Sequence, residues 1–159
     1  IYRLSIVFTK NEILKQKNVV IDMVPLTKNA RIFAKLLNVK IDGVDHAIPR
    51  EELLKRMANC DVVAYLTFTE CAPMTPLESF AQGVPCVVGN NCHYFKNDEL
   101  EKYIVVSEED NPELIAKKID YMMENKEKIL KLYNEWYKKM EKGTDELLKK
   151  FLEDGDNYE

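Results

Sequence analysis

The stretch Tyr65 to Gly89 reads YLTFTECAPMTPLESFAQGVPCVVG, and it decides how the rest of the chain is read. An apolar run, Tyr65–Leu66, gives way to a carboxylate, Glu70; a turn with two prolines, Pro73 and Pro76, follows, and a second carboxylate, Glu78, lies eight residues after the first. "TPLESFAQG" has the punctuation of a short helix: Thr75 as N-cap, Pro76 at the first helical position, and Gly83 just past the end. Glu78 then falls three residues after Thr75, so a Thr-x-x-Glu capping box accounts for it by local structure alone. Glu70 has no such local explanation. A carboxylate at the end of a buried strand costs several kcal/mol unless it is paired or faces a crevice. The carboxyl ends of parallel strands are where open α/β sheets bind ligands.

Outward from this stretch, short β-branched runs alternate with helical patterns. Arg3–Phe8, Asn18–Val24, Asn38–Gly43, Asp61–Leu66, Pro85–Val88 and Lys102–Val106 read as strands. "NARIFAKLL", "PREELLKRMANC", "TPLESFAQG" and "NPELIAKKIDYMMEN" read as helices between or after them. The strands are nearly continuous apolar runs, as expected where both faces of a parallel sheet are covered. The pattern predicts an α/β fold with a doubly wound, mostly parallel, six-stranded Rossmann-like sheet spanning residues 1–125. Residues 126–153 carry Ile129, Leu132, Tyr133, Trp136, Tyr137 and Met140 at helical spacing, then Leu147, Leu148 and Phe151 after Gly143. They predict a helical extension outside the sheet, bent or broken near Gly143, with 154–159 as a frayed tail. Only "TKNEILKQK" joins the first two strands, shorter than the roughly 10–12 residues a parallel crossover needs. Either the connection is unusually short or residues are missing there.

Composition narrows the classes. The chain has 159 residues, 46% hydrophobic and 31% charged, with a net charge of -4. That balance suits one soluble domain with a full core and does not suggest a nucleic-acid partner. No apolar run approaches the roughly 20 residues of a membrane span. Cys60, Cys71, Cys86 and Cys92 follow no zinc or C-x-x-C spacing, and His46 and His93 are isolated, so no metal site is predicted. Reduced thiols point to a cytoplasmic setting. The chain opens on Ile1-Tyr2-Arg3-Leu4, which predicts a piece of a longer protein.

A helix N-terminus and the N–H groups of the turn after Glu70 suit an anion, whereas two carboxylates suit neutral hydroxyls. A ligand with a phosphate centre flanked by hydroxyl-rich groups meets both demands, and sugar nucleotides have that make-up.

The run E-C-A-P-M-T-P-L-E-S-F-A-Q-G-V-P-C-V-V resembles the E-x7-E motif of retaining GT-B glycosyltransferases, the group 1 or GT4-like family. "PREELLKRMANCDVVAYLTFTE" is similar to the segment that precedes it, and the whole chain resembles the C-terminal, donor-binding domain of those enzymes. The resemblance implies that Glu70 positions the donor sugar through its hydroxyls and that Glu78 contacts the ribose. It further implies that Ala72, Met74 and Thr75, with Leu77 beside them, line the diphosphate and sugar. Lys10 and Lys17 stand nearest the place of the family's basic pair, and Gly43 and Val44 nearest the backbone against which the base docks. Implied too are a UDP- or GDP-sugar donor, a hydroxyl acceptor on a missing N-terminal domain, no metal and no cofactor. For the full-length enzyme the resemblance implies peripheral association with a membrane and a part in polysaccharide assembly. Two departures stand out: Pro73 removes one N–H from the turn, and "GNNCHYF" replaces the Gly-Gly-x-x-Glu stretch common in relatives. Pro73, with the lack of a clear match to the family's basic pair, favours the alternative of a degenerate, non-catalytic module that serves in binding or assembly; the intact glutamate pair opposes it. A phosphoryl-accepting receiver or a dinucleotide-binding domain fits less well, for Phe8-Thr9-Lys10 offers no acidic pair and no G-x-G-x-x-G occurs.

Overall fold

A computed structural model describes residues 19–36, 38–69 and 71–155. The first half of this chain opens with strand β1 (Val20–Met23), helix α1 (Lys28–Leu36), strand β2 (Lys40–Gly43) and helix α2 (Arg50–Ala58). Strand β3 (Val63–Tyr65), helix α3 (Met74–Ala81) and strand β4 (Cys86–Gly89) follow. A 3-10 turn (His93–Phe95), a single helical turn α4 (Glu101–Ile104) and strand β5 (Val105–Val106) lead to helices α5 (Pro112–Glu124) and α6 (Lys126–Gly155).

Among the described residues every strand pairing is parallel, as the apolar runs predicted. The five described strands form two sheets, β1–β2 and β3–β4–β5, rather than the single six-stranded sheet expected. The expected strand Arg3–Phe8 and its short connection lie outside the described residues. Val63 pairs with Cys86 and Tyr65 with Val88, while Val20 pairs with Lys40. β4 is buried along its whole length, which is why Cys86-Val87-Val88 carries no polar side chain.

The last strand is shorter than its sequence suggested. "KYIVV" reads as five strand residues, but Glu101–Ile104 turn as a helix and only Val105–Val106 extend. The Asp98 carboxylate accepts from the Leu100 N–H (3.0 Å), and the turn it starts carries Tyr103 and Ile104 into the core. A side-chain turn at an aspartate thus overrides the β-propensity of the residues after it.

Helix starts are mostly where local chemistry puts them. Asn111 caps α5, accepting from the N–H groups of Glu113 and Leu114, with Pro112 at the first helical position. Thr27 accepts from the Ala30 N–H at the start of α1. In α2, Glu51 and Glu52 occupy the first turn and Lys55 and Arg56 the last, complementing the helix dipole. The Arg56 guanidinium donates to Asp22 (2.8 Å), tying α2 to β1.

α6 is one helix through Gly143 and on through Asp154 to Gly155, unbroken at Gly143. A helix-interior glycine costs about 1 kcal/mol relative to alanine. Here no proline or cap reinforces a stop, and the Thr144 hydroxyl returns to the Met140 carbonyl within the same helix. Its first turns belong to the core. Ile129, Tyr133 and Trp136 are buried with Phe80, Phe95, Ile115 and Met122. The Tyr133 ring stacks on Phe80 (centroids 4.2 Å apart, 8° between planes), and Trp136 packs at 4.8 Å on Phe95. Beyond Tyr137 the apolar side chains are exposed, Leu147 by 70% and Phe151 by 73%.

Replacing Trp136 by alanine should remove about 3–5 kcal/mol of stability, read from urea unfolding, because the cavity would open between α6 and the core. Burial pushes the Tyr133 hydroxyl up to about 12 from an ordinary 10.0, and the neighbouring Tyr137 adds to the shift. The fold therefore favours the neutral phenol, a contribution complete below pH 10.0 and lost as pH rises towards about 12. Urea midpoints across that window should fall less steeply for Tyr133→Phe than for the wild-type chain.

Candidate functional site

The carboxyl ends of β3, β4 and β5 meet at one edge, and the segment from Thr67 to Met74 leaves from it. Glu70 lies outside the described residues, as do Lys10 and Lys17. α3 starts at Met74 with Pro73 as its N-cap (φ -72°, ψ 94°) and no side-chain cap. The helix thus begins earlier than the Thr75 cap predicted. Pro73 presets the entering dihedral, and Pro76, at the third helical position, is still within the first turn, where a missing N–H breaks no helical bond. The far end is as expected. Gly83 adopts φ 73°, its N–H returns to the Phe80 carbonyl (2.9 Å), and the Val84 N–H reaches the Ser79 carbonyl (3.0 Å). The buried Ser79 hydroxyl also donates to the Val84 carbonyl (2.8 Å).

Glu78 is not in a capping box. Its Oε1 accepts from Arg50 Nε at 2.8 Å, with the Glu78 side chain 16% exposed and that of Arg50 70% exposed. The local signal for a cap was sound, but the early helix start moves Glu78 beyond capping reach, and a cation from α2 meets it instead. A carboxylate this far from water needs such a partner, and the charge-assisted bond is of the stronger kind. Arg50 was not among the residues the sequence singled out. It sits 28 positions from Glu78, and no local pattern links the two.

Two further residues come to this edge unannounced. Asn91, after β4, donates from Nδ2 to the carbonyls of Phe68 (2.6 Å) and Thr67 (3.3 Å) and reaches Glu109 Oε1 at 3.5 Å. It therefore ties the strand end that leads into Glu70 to the loop after β5. Glu109 lies over the end of β4, where a Cβ on residue 89 would overlap its side chain; Gly89 leaves that room. The sequence had marked Asn91 only as a departure from a glycine pair.

Of the other predicted residues, Ala72, Met74, Thr75 and Leu77 gather at the start of α3 with Glu78; Ala72 and Met74 are exposed, Thr75 and Leu77 half-buried. Gly43 and Val44 end β2 and open the loop whose far end is Arg50, the partner of Glu78. Gly43 has φ 134°, and a Cβ there would overlap the Met23 carbonyl, so its close approach to β1 by itself demands glycine. All four cysteines are free thiols, Cys71 exposed and Cys86 and Cys92 buried; burial pushes the Cys86 thiol well up. Among the described residues no three His, Cys, Asp or Glu side chains cluster as a metal site, and no helix is long and apolar enough to cross a membrane.

Residues 8–143 match the family model described as glycosyl transferases group 1. The chain belongs to this family. The fold of this group 1 glycosyl transferase is also similar to that of the catalytic domain of cholesterol-alpha-glucosyltransferase from Helicobacter pylori, with a TM-score of 0.67 over 86% of each chain at 22% identity. At that identity the likeness concerns the fold. A search of curated proteins gives no match.

Within this transferase domain, Asn91→Ala should cost about 1 kcal/mol in urea unfolding, since its bonds to Thr67, Phe68 and Glu109 are removed. An unchanged midpoint would mean that Asn91 does not hold the strand end.

Proposed function

We propose that this chain is the donor-binding half of a retaining GT-B glycosyltransferase, which moves a hexose from a UDP- or GDP-sugar to a hydroxyl acceptor held by a separate N-terminal domain. The observation that carries the reading is the state of Glu78: a carboxylate at the start of α3, poised by Arg50 rather than engaged as a helix cap. A carboxylate held in this way serves to accept hydrogen bonds from hydroxyls, and we assign it to the ribose. Glu70 is assigned to hydroxyls of the donor sugar, as a positioning group rather than a nucleophile.

Chemically, the demanding event is departure of the nucleoside diphosphate, on which negative charge builds. Backbone N–H groups around Ala72, Met74 and Thr75, with the α3 N-terminus, are assigned to that charge, since preorganised donors at a developing anion lower such barriers most. Lys10 and Lys17 are proposed to add positive charge to the diphosphate, and Leu77 to close the apolar side. The base is assigned to the backbone at Gly43 and Val44. No resident metal or other cofactor is required by this scheme, because N–H donors and lysines carry the electrostatic work. The reading keeps the domain cytoplasmic, where nucleotide-sugars are made, with membrane association and polysaccharide assembly as its expected setting.

One observation favours a second reading, a non-catalytic binding module: Pro73, the residue at the N-cap of α3, brings no N–H to the turn. Titration calorimetry of the chain with UDP-sugars and GDP-sugars tests both. Binding of one class is expected, and Glu78→Ala should weaken it by about 1.5–3 kcal/mol, the range for a hydrogen bond to a charged group. Circular dichroism should show undiminished helix in the variant, because Glu78 caps nothing. Absence of heat with every donor would remove the transferase-donor assignment, and binding untouched by Glu78→Ala would remove Glu78 from the site.

A further inference from the structure

The pair between α2 and α3 leaves hydrogen-bonding capacity unused on both sides. Nε of Arg50 meets Oε1 of Glu78 at 2.8 Å, and among the described residues neither Oε2 of Glu78 nor the two terminal nitrogens of Arg50 have a partner. Arg50 is mostly exposed while Glu78 is mostly covered, so the free guanidinium edge looks outward beside the free carboxylate oxygen.

These two edges are complementary to one chemical group, a vicinal diol. Each hydroxyl brings one donor and two acceptor lone pairs. A carboxylate can only accept, so alone it satisfies half of that group; a guanidinium can only donate and supplies the other half. Charge makes the same point. An unpaired carboxylate beside a diphosphate would repel it, whereas a carboxylate already bonded to a guanidinium presents no net charge at short range. We propose that Arg50 is a second ribose-recognition residue: its free nitrogens donate to the ribose hydroxyl oxygens while those hydroxyls donate to Glu78 Oε2. This rests on the assignment of Glu78 to the ribose and extends it to a residue outside the E-x7-E motif. It also assigns a function to the contact between α2 and α3 beyond packing.

The test measures ribose preference rather than affinity alone. The 159-residue chain and its Arg50→Ala, Arg50→Gln and Arg50→Lys variants are titrated with UDP and GDP, and with their 2′-deoxy and 3′-deoxy counterparts. Arg50→Ala should lose roughly tenfold in affinity for the ribonucleotide, the size of one charge-assisted hydrogen bond, and its preference over the deoxy forms should shrink by a similar factor. Arg50→Lys should recover part of the affinity, through charge, without recovering the full preference, since an ammonium lacks the planar fork. Wild-type ribose preference in Arg50→Ala, whether or not affinity falls, overturns the proposal, because a purely structural or electrostatic role would leave that ratio alone. Arg50→Gln settles the matter in the same way if the alanine variant does not fold. Should the wild-type chain bind neither UDP nor GDP, the ribose assignment of Glu78 fails and this inference with it. Binding abolished by Glu78→Ala but indifferent to Arg50 sinks only the inference.

Discussion

The return from α3 to β4 is the constraint on which the site depends. Three bonds close within six residues: Gly83 N–H to Phe80, Val84 N–H to Ser79, and the Ser79 hydroxyl to the Val84 carbonyl. They force the chain to reverse immediately after Ala81 and to enter β4 beside β3. With the helix end pinned at the amino edge of the sheet, eight residues of helix carry its start back to the carboxyl edge, where the segment after β3 leaves. Burial of Ser79 makes this return intolerant of change, since an apolar substitute would leave the Val84 carbonyl with one bond fewer in the interior.

Three consecutive residues of α3 then hold it in three directions. Glu78 reaches Arg50 on α2, Ser79 reaches Val84 in the turn that leads to β4, and Phe80 stacks on Tyr133 of α6. The C-terminal helix is therefore not an appendage to the site helix but one wall of its seat. Trp136 and Ile129 extend the same wall to Phe95 and Met122, so the core beneath the site is shared between sheet and extension. Mechanical continuity of this kind suits a domain whose ligand must be held to within fractions of an ångström by residues from several elements.

Much of this arrangement was legible in the residues. Parallel pairing followed from unbroken apolar runs such as Cys86-Val87-Val88, the α3 stop from Gly83, and the α5 start from Asn111-Pro112. The misreadings share a cause: a local signal competing with a contact or turn that periodicity does not record. Thr-x-x-Glu spells a capping box, yet the helix begins at Met74 and Glu78 finds Arg50. "KYIVV" spells a strand, yet Asp98 folds its first part into a turn. Gly143 spells a break, yet nothing around it supplies the second half of a stop signal. The roles of Arg50, Asn91 and Glu109 were not legible for a related reason, because each rests on partners 18 or more positions away.

Gly43 carries a consequence for how such domains are compared and engineered. Its neighbourhood admits no side chain at all, because the Met23 carbonyl of the adjacent strand occupies the volume a methyl group would need. A glycine there is thus accounted for by strand spacing before any nucleotide is considered. Loss of function after altering it would report a prised-apart sheet edge rather than a lost ligand contact.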